Sequence, residues 1–137
     1  MEICIDFDGT CVTHYYPRVG KDIGAVPVLK ELVKNRHLLI LFTMRSSKQG
    51  VSPVTRKIEK GGIEDAIKWF AENDIPLYGI QINPGQQDWT SSPKAYGQLY
   101  IDDSALGCPL IYPEDGGRPF VDWVKVREIL VNRKIIK

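Results

Sequence analysis

The chain has few cysteines, almost no net charge and no long apolar run, and each of these limits what it can be. Three cysteines, an odd number with no Cys-x-x-Cys pair, predict reduced thiols and a cytoplasmic setting rather than a disulfide framework. A formal net charge of +1 gives no clear nucleic-acid signal. No run is long enough to span a bilayer, and the N-terminus enters a strand at once, so we expect neither a membrane partner nor a signal peptide.

The composition is that of an ordinary folded protein. Of the 137 residues, 43% are hydrophobic and 26% are charged, which suits one domain with its own core. We find no internal repeat and no low-complexity segment. The sequence therefore predicts a single domain over residues 1–137.

Strand-like and helix-like segments alternate along the chain. Short apolar runs predict strands at residues 2–6, 38–42, 77–82, 98–102 and, more weakly, 109–112. Apolar residues at helical spacing predict helices at residues 25–35, 62–73 and 120–131. This alternation predicts an α/β fold with a three-layer, doubly wound parallel sheet that has helices on both faces. In such sheets, functional groups gather at the carboxyl ends of the strands.

Two of the predicted strands end in paired carboxylates. The first strand runs into Asp6 and Asp8, followed by Gly9 and Thr10, and the sequence Ile101-Asp102-Asp103 closes the strand at 98–102. Neighbouring carboxylates repel each other and are hard to bury, so a divalent cation would make both pairs tolerable. An Asx-type turn after a strand is the plainer explanation of an isolated Asp-x-Asp such as Asp6 and Asp8.

Four motifs together resemble the haloacid dehalogenase-like (HAD) superfamily of phosphohydrolases. Asp6-Phe7-Asp8-Gly9-Thr10 matches the first motif of that family, DxDGT, in full. Thr43 matches the Ser or Thr of the second motif, Lys94 the basic residue of the third, and Asp102-Asp103 the acidic fourth motif. The motifs follow in the family's order and span most of the chain.

The resemblance implies a HAD-like Rossmannoid core and a Mg²⁺-dependent phosphomonoester phosphatase. Asp6 would attack phosphorus and form an aspartyl-phosphate, and Asp8 would act as general acid and then as general base. Mg²⁺ would be held by Asp6, the Asp8 backbone carbonyl and Asp102, with Asp103 binding directly or through water. The phosphoryl oxygens would contact Thr43 and Lys94, and the further candidates for substrate contact are Gly9, Thr10 and Arg45.

No segment between the motifs is long enough for a large cap domain, so the resemblance implies a small, capless member with an open site. Substrate choice then falls to the loops 11–20, 46–61 and 83–93, or to a neighbouring subunit of a homo-oligomer. The segment 11–20, which carries His14, Tyr15, Tyr16 and Arg18, is expected to overhang the site. The substrate would be a small phosphorylated molecule or a phosphorylated macromolecule.

Two other interpretations stay open at this stage. A response-regulator receiver also uses acidic residues, a Thr and a Lys on a parallel sheet, although its motifs follow a different order. A catalytically silent phosphate- or metal-binding protein on the same fold is the other, because a fold does not determine a function.

Overall fold

The computed structural model describes residues 1–47, 50–51, 54–59 and 61–137, with the backbone alone at 50–51 and 58–59. Its strands are β1 (Glu2–Ile5), β2 (Leu38–Leu41), β3 (Gly50–Val51), β4 (Ile58–Glu59), β5 (Gly79–Ile80), β6 (Leu99–Ile101), β7 (Leu110–Ile111) and β8 (Phe120–Val121). Its α-helices are α1 (Ala25–Lys34), α2 (Ile63–Glu72) and α3 (Trp123–Asn132), and a short 3₁₀ turn covers Gln86–Asp88.

Four of the strands form a parallel sheet in the order β5-β2-β1-β6. The register places Ile5 beside Leu41 on one side and Ile101 on the other. The prediction that β1 is central, between the strands that lead to Thr43 and Asp102, is therefore confirmed. Counted along the chain, the strand order is 3-2-1-4. Receivers share the flavodoxin-like order 2-1-3-4-5, so the topology argues against that interpretation.

The main core lies on one face of this sheet. Alternate residues of a strand point to opposite faces, and Ile3, Ile5, Leu39 and Leu41 all point the same way. The buried faces of all three helices pack into the same cluster, through residues such as Leu29 and Leu32, Ala66 and Phe70, and Val126 and Leu130. A single layer of helices therefore covers this face.

The opposite face is covered by the connection from β5 to β6. Cys4 and Ile40 pack there against Ala95, and the Tyr100 hydroxyl donates to the Ala95 carbonyl at 2.7 Å. Within the described residues this connection contains only the 3₁₀ turn, so the predicted three-layer arrangement is not confirmed. The buried side-chain amide of Gln86 holds this connection together. It donates to the Ser92 and Lys94 carbonyls and accepts the Tyr96 N–H, at 2.8–3.1 Å.

The helix predicted at 120–131 begins three residues later than expected. Phe120 and Val121 belong instead to β8, which pairs with β7 in an antiparallel hairpin. The Asp122 side chain then accepts the Lys125 N–H at 3.2 Å and caps α3. None of the described helices is long and apolar enough to cross a membrane.

The predicted loop 46–61 contains a second short antiparallel pair, β3 with β4. Residues 48–49, 52–53 and 60 of that loop lie outside the described residues. Over the ranges that are described, this pair is the largest addition between β2 and α2, and no cap domain is present there.

Candidate active site at the carboxyl edge of the sheet

A cleft of about 430 Å³ opens at the carboxyl ends of β1, β2 and β6. It brings together six of the nine predicted site residues: Asp6, Asp8, Thr43, Arg45, Asp102 and Asp103. The other lining residues are His14, Tyr16, Met44, Ser104 and Arg118. The predicted residues Gly9, Thr10 and Lys94 do not line it.

Three carboxylates in this cleft form a compact acidic group. Asp6, Asp102 and Asp103 each offer one oxygen within 4.8 Å of the others. The Ser104 N–H donates to Asp102 Oδ1 at 2.8 Å and orients that carboxylate. Burial, a hydrogen bond with Asp103 and the charge of Asp102 raise the pKa of Asp6 to about 8. The group suits Mg²⁺, which prefers oxygen ligands and would offset this mutual repulsion.

Thr10 holds two of these carboxylates and does not face the cleft. Its side chain is fully buried, and its hydroxyl lies 2.9 Å from Asp6 Oδ2 and 3.2 Å from Asp103 Oδ1. The same oxygen accepts the Asp103 N–H at 3.0 Å. Its hydrogen bonds therefore position Asp6 and Asp103, which is a different role from the predicted substrate contact.

Gly9 allows the turn that brings His14 against the acidic group. Its φ is +79°, and a Cβ there would lie 2.0 Å from His14 Nε2. His14 Nε2 lies 2.9 Å from Asp103 Oδ2, to which it donates. Both backbone groups of Gly9 are occupied, by the Val12 carbonyl at 2.8 Å and the Val121 N–H at 2.9 Å. Gly9 is thus required for packing, which is a different role from the predicted substrate contact.

Arg45 is buried and clamps Asp8. Its Nε and Nη2 donate to the two Asp8 oxygens at 2.8 and 2.7 Å. The other N–H groups reach the carbonyls of Pro17, Gly62 and Arg18 at 2.8–3.3 Å. All five donors of a guanidinium are then used. With 1% of its side chain exposed, Arg45 joins Asp8 to the segment that overhangs the site, and no N–H group is left for the predicted contact with a substrate anion.

Thr43 is placed to donate a hydrogen bond into the cleft. Its oxygen accepts the Arg45 N–H at 3.1 Å, which leaves the hydroxyl proton free for another acceptor. The side-chain amide of Gln81 fastens the Thr43 backbone, accepting its N–H at 2.8 Å and donating to its carbonyl at 2.6 Å. This geometry agrees with the predicted contact between Thr43 and a phosphate oxygen.

Lys94 lies away from the acidic group, contrary to its predicted role. Its Nζ lies 5.5 Å from the centre of the Tyr100 ring, and it lines a separate cleft with Trp89 and Tyr96. Its charge acts on Cys4, which belongs to the opposite face of the sheet. The loop that carries Lys94 crosses under that face, so its side chain does not reach the carboxyl edge.

The structure adds two residues that sequence analysis missed, Gln81 and Arg118. Gln81 follows β5 at the same edge as the acidic residues, and a polar residue at a strand end was the signal that could have found it. His14 and Tyr16 line the cleft, as expected for the segment 11–20. Arg118 comes from the β7–β8 hairpin, and nothing in its local sequence points to the cleft.

No protein-family model matches the chain, and no curated protein matches it. A solved structure of a conserved protein coded by a locus of Bacteroides thetaiotaomicron is similar to it, with 31% sequence identity and a TM-score of 0.68. The match covers 98% of this chain and 91% of that chain, whose description names no activity. At this identity over nearly the full length of both chains, the protein belongs to the same family as that conserved Bacteroides protein.

Proposed function

We propose that the protein is a Mg²⁺-dependent phosphohydrolase that acts on phosphomonoesters through an aspartyl-phosphate at Asp6. The observation that carries the proposal is the convergence of Asp6, Asp102 and Asp103 in one cleft that Thr43 also lines. The four HAD-like motifs support it, except for Lys94.

The carboxylates of Asp6, Asp102 and Asp103 would hold the metal. Within the described residues no donor contacts the Asp8 carbonyl oxygen, which is consistent with its predicted place as a further ligand. The four carboxylates and two guanidiniums that line the cleft carry a formal charge of −2, with His14 neutral. When bound, Mg²⁺ supplies the charge neutralisation that admits an anionic phosphate.

The side chains can then divide the reaction between them. An oxygen of Asp6 attacks phosphorus, and the bond from phosphorus to the leaving oxygen breaks as that oxygen takes a proton from Asp8. Water next attacks the aspartyl-phosphate and gives its proton to Asp8, which releases phosphate and restores the Asp6 carboxylate. Thr43 donates a hydrogen bond to a phosphoryl oxygen throughout.

Arg45 bears directly on the part played by Asp8. Each Asp8 oxygen accepts one N–H from Arg45, and a carboxylate oxygen has a second lone-pair site for a proton. The Asp8 side chain keeps 17% of its surface exposed, on the side of the cleft. The clamp can therefore orient the acid and base without blocking it.

A catalytically silent phosphate- or metal-binding protein is the second candidate. The observations that favour it are the engagement of both Asp8 oxygens by Arg45 and the absence of Lys94 from the cleft. Such a protein would bind Mg²⁺ and phosphate but release no phosphate from esters.

At the level of the fold, we infer a HAD-like doubly wound core in which the loop from β5 to β6 replaces the second helical layer. Right-handed connections place α1 and α2 on one face of the sheet and the connection from β5 to β6 on the other face. We propose a cytoplasmic setting and a phosphorylated small molecule or macromolecule as substrate.

A panel of phosphomonoesters assayed with Mg²⁺, with the wild type beside Asp6→Asn, tests the proposal. We expect Mg²⁺-dependent phosphate release by the wild type and background rates for the variant, because the amide keeps the shape and removes the nucleophile. Folding of both proteins is checked by circular dichroism. If the wild type binds Mg²⁺ but hydrolyses no ester of the panel, the binding-protein candidate replaces the enzyme.

A further inference from the structure

A phosphomonoester in the cleft would be stabilised by a second positive group besides the proposed metal. A phosphomonoester brings up to two negative charges, and transfer of the phosphoryl group spreads charge over its three equatorial oxygens. The cations expected to contact those oxygens were Lys94 and Arg45. Lys94 lies beside Tyr100 in another cleft, and every donor of Arg45 is used inside the protein.

Arg118 is the guanidinium in the cleft with donors to spare. It lines the cleft with Asp6 and Thr43, and its side chain is exposed. Across the ranges that the structure describes, it makes no hydrogen bond and no ion pair. Two carboxylates of its own loop do not pair with it: Asp115 accepts the Gly117 N–H at 2.8 Å, and Glu114 is exposed.

The hairpin that carries Arg118 is fastened to the loop that carries the nucleophile. The Val121 N–H donates to the Gly9 carbonyl at 2.9 Å, and the Trp123 indole N–H donates to the Thr10 carbonyl at 2.7 Å. Arg118 is three residues before the first of these anchors. Its position is thus tied to the turn after Asp6 and not to the loop that carries Lys94.

We propose that Arg118 binds the phosphate group of the substrate and takes the place that the motif pattern gives to Lys94. This inference rests on the proposed function for the identity of the substrate, a phosphomonoester dianion. The planar fork of a guanidinium can bind two phosphoryl oxygens at once. Thr43 and the metal would contact the remaining oxygens of the phosphate group.

The test uses the Mg²⁺-loaded full-length protein in four forms: the wild type, Arg118→Ala, Arg118→Lys and Lys94→Ala. Inorganic phosphate binding is measured by calorimetry, and kcat/KM is measured with a phosphomonoester that the wild type hydrolyses. Lys94→Ala is the matched control, because it removes the same charge from another exposed side chain. Mg²⁺ affinity and thermal unfolding are recorded for each form, to separate loss of the anion site from loss of the metal or of the fold.

We expect Arg118→Ala to lower both phosphate affinity and kcat/KM by roughly 10- to 100-fold, as for the loss of a charge-assisted hydrogen bond. Arg118→Lys should recover part of the loss, because it restores the charge but not the fork. Lys94→Ala should match the wild type. Losses in Lys94→Ala with none in Arg118→Ala would overturn the proposal and leave the phosphatase assignment standing.

The measurement of phosphate binding tests the role of Arg118 even if the protein hydrolyses no ester. If the wild type hydrolyses no ester, the proposed function fails, and loss of phosphate binding in Arg118→Ala alone still assigns the anion site. Equal phosphate binding by the wild type and Arg118→Ala, or none by the wild type, would overturn the assignment.

Discussion

Replacing Arg45 with methionine tests whether the buried clamp on Asp8 stabilises the site. The change removes a side chain that donates to both Asp8 oxygens and to three backbone carbonyls, and that stacks 5.1 Å from the centre of the Phe7 ring. Methionine fills part of the volume but offers no donor. Asp8 is then left in the cleft wall without its partner.

The size of the effect follows from burial. Breaking a buried ion pair by removing one partner costs about 3–5 kcal/mol. Because the Asp8 side chain keeps 17% of its surface exposed, we take the lower end, about 3 kcal/mol. For a domain of this size that corresponds to a fall in Tm of roughly 10–15 °C. Asp8→Asn combined with Arg45→Met should cost less than the sum of the single changes, because the double variant leaves no unpaired charge.

The assay is urea unfolding followed by tryptophan fluorescence, with Arg127→Met as the control. Arg127 and Glu31 form the same two-pronged pair at 2.7 and 3.1 Å, but with 50% and 31% of their side chains exposed. Solvent screens that pair, so the control should lose far less stability. Equal losses for Arg45→Met and Arg127→Met would refute the argument from burial.

Three further predictions concern the turn, the carboxylates and the support of Thr43. In protein treated with a chelator, stability should fall as the pH rises from the ordinary Asp pKa of 3.8 to about 8 and then level off, because folded Asp6 keeps its proton to a higher pH than unfolded Asp6. Unfolding midpoints measured across that range should show this slope in the wild type and not in Asp6→Asn, and equal slopes would contradict it. Gly9→Ala should lower Tm, because its Cβ would meet His14. The double variant Gly9→Ala with His14→Ala should recover only part of the lost Tm, since the left-handed φ of residue 9 alone costs about 1–2 kcal/mol. Full recovery of Tm would show that this φ is unimportant. Gln81→Ala should speed hydrogen exchange at the Thr43 amide, and unchanged protection would exclude the Gln81 bond.

The strands that build the site could be predicted because their signal is local. β1, β2 and β6 are short apolar runs bounded by polar residues, and each residue expected at their carboxyl ends lies there. The residue after a buried strand has little choice of position, so Asp6, Thr43 and Asp102 could be assigned to one edge from sequence alone.

The loops could not be predicted in the same way. Lys94 is eight residues before Asp102, but that spacing does not say on which face of the sheet the loop runs. The amide bonds of Gln86 hold it under the sheet, and no periodicity reports such bonds. Arg118 reaches the cleft only because β8 pairs with β7 and bonds to Gly9, which is a long-range contact.

The same limit applies to Thr10 and Arg45. A motif identifies which residue types recur, but not whether a side chain faces the substrate or supports one that does. Burial separates the two cases: both side chains are almost without solvent contact, and each bonds carboxylates of the site, Thr10 at Asp6 and Asp103 and Arg45 at Asp8.

The central claim is that Asp6 becomes phosphorylated, and an acid-quenched single turnover tests it most directly. The Mg²⁺-loaded protein is mixed with a ³²P-labelled phosphomonoester that it hydrolyses, quenched, and assayed for label that hydroxylamine releases. We predict such label on the wild type and none on Asp6→Asn, which lacks the nucleophile. Turnover by the wild type without labelled protein, or equal labelling of Asp6→Asn, would contradict the account.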